Sequence, residues 1–276
     1  MTPPIGALQG RLTPAKGRGI QFFPDKEGEW EAEFYKAKEA GLAFIELLVR
    51  PKNLYSHPLM SVEGRARLRE LSAQTDIVIP SVHGYTEKED HFAQDLEAVV
   101  HASKEIGADV VLVSYFHEKK LSPVPDESWQ NAHRLLRPAT RAARGLGVRL
   151  GVEAELSAQT LLDFIAQAEI SEAFGVYYDL GNQFALGFPV VKEIELLGSR
   201  IIGVHVKDRF PQQEGQSESK SVPLGEGASD FKAASDALRK IGYTRPLIIQ
   251  GARGEDGKEV ELYKTYRNYI INIWQQ

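Results

Sequence analysis

The sequence predicts an α/β fold in which one domain, residues 1–276, closes as a single (β/α)8 barrel. Three observations lead there. Eight short runs rich in Val, Ile and Leu recur along the chain, as strands buried on both faces do. Amphipathic stretches, with apolar residues three and four apart, separate them. Glycine closes several of those stretches just before the next run, where a helix C-cap needs left-handed backbone. A doubly wound open sheet shares this alternation, but eight regular units without a strong glycine fingerprint favour closure.

The expected strands, in order, are residues 5–8, 44–49, 77–82, 109–114, 148–152, 174–178, 201–206 and 247–249. Helical spacing is clearest in Phe92, Leu96, Val99, Val100 and Ile106. It recurs in Leu161, Leu162, Phe164, Ile165 and Ala168, and in Val260, Tyr263, Tyr266, Ile270 and Trp274. Gly41, Gly107, Gly145 or Gly147, and Gly242 are the expected C-caps. Asp126 is the expected N-cap of the helix through Trp129 and Leu136, and Pro138 is expected to kink that helix. Residues 210–221 are polar and too short to separate domains, so they read as a long active-site loop after strand seven.

Composition removes several classes of function. Lys plus Arg number 33 against 38 Asp plus Glu, a net −5 that lacks the electrostatic footprint of a general nucleic-acid binder. Cysteine is absent, which excludes thiol nucleophiles, Cys-ligated zinc, iron–sulfur clusters and disulfides. No apolar run approaches membrane-spanning length, and the first residues show neither a basic leader nor an apolar core, so a cytoplasmic location is expected. A chain of this length buries roughly 75% of its unfolded surface, so its core needs no partner, and homo-oligomerisation is left open.

In a barrel the residue ending each strand faces the catalytic mouth. Strands five, six and seven end at Glu153, Asp179 and His205, each 26 residues from the next, and Gln250 follows strand eight. Equal spacing puts the first three at equivalent points of successive units. One polar residue at a strand end is commonly a loop anchor; four of ligand type in succession are not. A mixed oxygen and nitrogen set suits Mn²⁺, Mg²⁺, Co²⁺ or Zn²⁺. Around them stand Val-His-Val-Lys-Asp-Arg (204–209), Tyr-Asp-Leu-Gly-Asn (178–182) and Leu-Gly-Glu-Gly (224–227), whose glycines could bring backbone amides to a ligand. Arg11, Lys207, Arg209 and Arg253 all follow strand ends and form a candidate subsite for a phosphate or carboxylate. His57, His91, His101, His117 and His133 have no evident partner and are expected at the surface.

These motifs resemble the xylose-isomerase-like TIM-barrel superfamily, which holds sugar and sugar-phosphate isomerases and epimerases, inosose dehydratases and endonuclease IV. The likeness rests on Gly-Val-Glu (151–153), Tyr-Tyr-Asp-Leu-Gly-Asn (177–182), His-Val-Lys-Asp (205–208) and Leu-Gly-Glu-Gly (224–227). Phe-Ile-Glu-Leu (44–47) and Pro-Ser-Val-His-Gly (80–84) support it, and Gln-Gly-Arg-Leu (9–12) resembles one subgroup. The resemblance implies one divalent metal on Glu153, Asp179, His205 and, where the family carries a second glutamate, Gln250. It implies Glu153 as proton-moving base and Lys207 as a cation on the reacting oxygens. Glu46, His83 and Glu226 join Arg11, Arg209 and Arg253 as substrate-binding candidates. The implied function is isomerisation or epimerisation of a sugar, polyol or sugar phosphate through an enediolate. The alternatives are an inosose-type dehydratase, or a non-catalytic carbohydrate-binding barrel, because an amide at 250 cannot act as a base. Endonuclease activity ranks third, since only His83 and His205 stand at the mouth. Single-face proton transfer by Glu153 is then easier than epimerisation, unless Glu46, Glu155 or Glu226 serves as a second base.

Overall fold

The computed structural model describes residues 2–84, 92–116, 119–213, 215 and 219–276. Eight parallel strands close a barrel: β1 (Ile5–Leu8), β2 (Phe44–Val49), β3 (Ser81–Gly84), β4 (Val110–Tyr115), β5 (Arg149–Ala154), β6 (Phe174–Asp179), β7 (Ile201–Val206) and β8 (Leu247–Ile249). They run in chain order around the ring, with β8 returning to β1 through Ile5↔Leu247. The helices outside are α1 (Glu29–Glu39), α2 (Val62–Thr75), α3 (Phe92–Glu105), α4 (Glu127–Leu146), α5 (Ala158–Ala166), α6 (Leu180–Ala185), α7 (Val190–Leu197), α8 (Phe231–Lys240) and α9 (Glu259–Gln275). Among the described residues no helix is long and apolar enough to cross a membrane.

Strand alternation divides the core in two. Val111 and Val113 point outward into the layer shared with the helices, while Val110 and Leu112 point inward with Tyr177 and Ile202. A second inner group, Leu8, Leu48 and Ile248, fills the barrel beside Phe44. The inner Tyr177 ring has room because position 203 lacks a side chain: a Cβ at Gly203 would lie 2.2 Å from the ring. This packing fixes where the Tyr177 hydroxyl points, which matters for the site.

The third strand differs from its expected span. Val78 bridges to Phe44 and exchanges backbone bonds with Ala43 and Ile45, but Pro80 has no N–H to continue the ladder. Regular pairing therefore begins at Ser81 and runs to Gly84, which carries His83 to the mouth. Helix α4 starts on Asp126, whose carboxylate accepts the Ser128 N–H at 2.9 Å. It continues as helix through Pro138 and closes on Gly147 at φ 68°. After β7 the chain forms a two-stranded antiparallel ribbon, Asp208–Arg209 against Ser221–Val222, so the segment expected as one long loop begins and ends in paired backbone.

Candidate active site

The barrel register sets the site. Asp179 lies directly opposite His205 across β6 and β7, and Glu153, one residue before the end of β5, lies opposite Ser114. Glu153, Asp179 and His205 are all buried, and each offers one ligand atom within 4.8 Å of the others. The Nδ1 edge of His205 carries the acids, with Glu153 Oε1 at 3.3 Å and Asp179 Oδ2 at 3.9 Å. Asp179 divides its labour: Oδ1 caps α6 by accepting the Asn182 N–H at 2.9 Å, and Oδ2 lies 2.7 Å from Lys207 Nζ. Glu153 Oε2 is buried without a hydrogen-bond partner among the described residues. A carboxylate oxygen kept dry and unpaired is costly unless a cation or substrate supplies the partner. The donor set of two carboxylates and one imidazole thus fits a divalent ion of the Mn²⁺, Mg²⁺, Co²⁺ or Zn²⁺ type.

The opposite edge of His205 is held by Glu46. Its Oε1 lies 2.7 Å from Nε2, while Oε2 accepts from Ser81 Oγ at 2.6 Å and from the Tyr177 hydroxyl in a short bond. Burial alone would push the Glu46 carboxyl up, but the His205 imidazole, with His83 and the Ser81 hydroxyl, outweighs it and lowers the pKa to about 2. An ionised carboxylate only accepts, so Nε2 of His205 carries a hydrogen and Nδ1 is the atom presented to the acids. Burial opposes a charge on His205 as well, yet Glu46 and Glu153 on its two edges raise it to about 9. The Nδ1 proton so retained is the one a cation would displace. A carboxylate behind a ligating imidazole fixes its tautomer and direction. Glu46 therefore positions His205, with both oxygens engaged, and is not open to substrate.

Gln250 meets His205 on that second edge too, its amide nitrogen 3.0 Å from Nε2. With the Nε2 hydrogen committed to Glu46, the amide orientation that satisfies the network turns its oxygen to this edge. The expected fourth ligand thus touches the imidazole edge opposite Glu153 and Asp179. A second group of ligand type, Glu46, His83 and His205, lies on this deeper side. Burial holds the His83 imidazole down to about 3, against the pull of Glu46 and with the added repulsion of His205 and Lys207.

Above this floor opens a cavity of about 420 Å³. Glu153, His83, Lys207, Asn182 and Gln250 line it, with Phe116 and Ile20 as apolar wall and Arg11, Arg209 and Lys220 as cations. Glu155 also reaches it but is paired with Lys120 at 3.0 Å. Arg11 is buried, and its Nη1 donates to the Gly251 carbonyl at 2.8 Å. The loop that carries Arg11 is fastened by Glu33, which accepts the Gly10 and Leu12 N–H groups and the Thr13 hydroxyl. Desolvation nonetheless raises the Glu33 carboxyl to about 7.

Other expected site residues lie elsewhere. Arg253 spends its guanidinium on the carbonyls of Ile20, Thr13 and Gly10 and stacks over Phe22, so it braces the first loop. Glu226 is exposed and outside the cavity lining. The 224–227 glycines bring their amides to a carboxylate of the chain itself. Buried Asp208 accepts N–H bonds from Arg209, Gly225, Gly227 and Ser229 at 2.9, 2.9, 3.0 and 3.2 Å. A Cβ at Gly227 would sit 2.2 Å from Asp208 Oδ1, so this approach requires glycine. His57, expected at the surface, lies inside the protein. It is buried, ring to ring with Phe23 at 4.3 Å and bonded to Gln9 Oε1 and the Leu59 N–H, and burial lowers it to about 3. His133 is half-buried and stacked on Phe164; His91 and His117 lie outside the described residues.

Sequence reading missed Tyr177, Ser81, Ser114 and Lys220. Tyr177 was within reach, because alternation puts it on the same strand face as Asp179. Lys220 depends on the ribbon, which the polar run does not announce.

A closed parallel barrel with an acid–imidazole cluster at the strand C-termini defines the class: a TIM-barrel protein with candidate metal ligands at its mouth. The chain belongs to the xylose isomerase-like TIM barrel family, whose description matches residues 34–268. It is 26% identical over 245 residues to L-ribulose-5-phosphate 3-epimerase UlaE of Escherichia coli (strain K12), covering 80% of this chain and 81% of that one. Among solved structures it resembles D-allulose 3-epimerase from Methylomonas sp., with TM-score 0.74, 14% identity and 99% of both chains covered. It also resembles 3-keto-D-glucoside 4-epimerase YcjR of E. coli, with TM-score 0.72, 14% identity and coverage of 98% of this chain and 99% of that. At these identities the structural likenesses establish the fold.

Proposed function

We propose that the protein is a divalent-metal-dependent isomerase or epimerase that moves a proton next to the carbonyl of a ketose or ketose phosphate. That it is an enzyme of the sugar isomerase and epimerase type rests on its named relatives. The observation that carries the chemistry is the convergence of ligand atoms of Glu153, Asp179 and His205 within 4.8 Å of one another, with Glu153 lining the cavity and its Oε2 unpartnered among the described residues.

Glu153, Asp179 and His205 would hold the cation, which when bound polarises the carbonyl and steadies the enediolate charge. Glu153 Oε2 takes the proton from the carbon beside the carbonyl and returns it, acting first as base and then as acid. Lys207 Nζ, already against Asp179, donates to a substrate oxygen where negative charge grows. Glu46 keeps the His205 ring from turning, and Phe116 and Ile20 supply the apolar part of the cavity wall.

Of the two carboxylates that line the cavity, Glu155 is ion-paired with Lys120, whereas Glu153 keeps a buried oxygen without a hydrogen-bond partner among the described residues. One such base transfers a proton along one face, so 1,2-isomerisation, or loss of water from the same enediolate, asks least of this site. Inversion at a carbon needs a second group across the substrate, and Glu155 could serve only after leaving Lys120. The test is conversion of a ketose and ketose-phosphate panel in Mn²⁺, with products resolved by NMR, for wild type and Gln250→Glu. Efficient epimerisation by the wild type with no gain from the new carboxylate contradicts the single-base reading. Asp179→Ala that keeps full Mn²⁺ binding contradicts the ligand set.

A further inference from the structure

The cavity is electrically lopsided. Its acids, Glu153 and Glu155, stand over β5, whereas Arg209, Lys220 and Arg11 stand over β7, the ribbon that follows it, and β1, which is the neighbour of β8 in the ring. Lys207 is spent on Asp179, and Glu155 on Lys120. Among the described residues of the lining, that leaves three cations against Glu153. Arg11 is 3% exposed, and its Nε has no partner among the described residues. Arg209 Nε is also buried and unpartnered, and no carboxylate pairs with Lys220 among the described residues. The two desolvated guanidinium donors call for an acceptor that the described residues do not supply.

The ribbon is built to hold them still. Asp208, gripped by four backbone amides, anchors the first ribbon strand, and Arg209 is the next residue. Ser221, paired with Arg209, sets Lys220 at the same rim. We propose that Arg209 and Lys220 of the ribbon, with Arg11 below, bind the terminal phosphate of a phosphorylated ketose whose reacting carbons lie over Glu153. The inference rests on the isomerase and epimerase reading and narrows its substrate class. A monoester dianion balances two cations at once, which a carboxylate does not, and its oxygens match the guanidinium fork.

The test is calorimetric titration of the Mn²⁺-loaded protein with ribulose 5-phosphate, ribulose and fructuronate, for wild type, Arg209→Gln, Lys220→Gln and the double variant. Lys220 is exposed, so its variant probes the contact without touching the core. The expected result is that wild type prefers the phosphate ester to ribulose by about 10–100-fold, the worth of one or two charge-assisted bonds. The preference shrinks in each single variant, nearly vanishes in the double one, and weakens as salt rises. Equal affinity for the ester and the plain ketose, or a preference that survives the double variant, overturns the subsite. Tighter binding of fructuronate overturns the phosphate assignment. Binding is read apart from turnover. A phosphate preference without conversion supports the subsite and contradicts the enzymatic reading, while conversion of ribulose without that preference does the reverse.

Discussion

Replacing Glu46 by Gln tests how the imidazole is aimed. The side chain keeps its shape, and its oxygen can still accept from Ser81 and Tyr177, so no cavity forms. What changes is the 2.7 Å contact with His205 Nε2, where an amide N–H replaces a carboxylate oxygen. Nε2 must then become the acceptor, and the hydrogen moves to Nδ1, the atom facing Glu153 and Asp179. The ligand lone pair is lost from the metal-facing edge. Outer partners of ligating histidines are worth about 10–100-fold in metal affinity, or about 1.4–2.7 kcal/mol. Stability should fall too, by less than the roughly 3–5 kcal/mol of an unrelieved buried charge, because Glu153 still faces the ring. Mn²⁺ affinity is read from the free-ion signal in electron paramagnetic resonance, and the tautomer from the imidazole nitrogen shifts. A variant that binds Mn²⁺ as tightly as wild type, with Nε2 still protonated, refutes this reasoning.

Asp208→Asn puts an amide N–H into a nest of four backbone donors, so unfolding in urea should show a loss of about 2–4 kcal/mol; a change below ~0.5 kcal/mol would show that the nest is not structural. Glu33 holds its proton up to about pH 7 when folded but releases it near 4.5 when unfolded. The folded state is thus favoured fully below 4.5, and that advantage, about 3 kcal/mol for a shift of this size, is lost as pH rises to 7. Glu33→Gln should flatten the decline between those values, and an unchanged slope in pH-dependent melting would reject the assignment. Lys207→Met removes the ammonium that competes for Asp179, so Mn²⁺ affinity should rise about tenfold while turnover falls; weaker Mn²⁺ binding would show that Lys207 supports the site instead.

How much of this was readable beforehand follows from the range of each interaction. Glu153, Asp179 and His205 emerge from the sequence because strand period and unit length are local rules, and the spacing of 26 sets Asp179 directly beside His205. The third strand slips because the run 77–82 is apolar on both sides of Pro80, and only the missing N–H ends the first pairing. Arg253 looks like a rim cation until the carbonyls of Gly10, Thr13 and Ile20, more than two hundred positions away, are seen to claim it. The same distance hides Glu46 and His205, 159 residues apart, whose contact decides which imidazole nitrogen faces the acids. His57 lacks any sequence signal for burial, since Phe23 and Gln9 come to it only through the loop after β1. The glycines at 225 and 227 were legible as a close-approach loop, but their guest, Asp208, was not.

The most direct test of the account is proton exchange, followed by NMR in D2O, at the carbons beside the carbonyl of ribulose and ribulose 5-phosphate. With Mn²⁺ the wild type should wash deuterium into that position. A chelator should stop the exchange, and Glu153→Gln should lower it by about 10²–10⁴-fold, the usual worth of a general base. No exchange with either ketose, or exchange that persists with chelator or in Glu153→Gln, would contradict a Glu153-driven, metal-dependent enediolate mechanism.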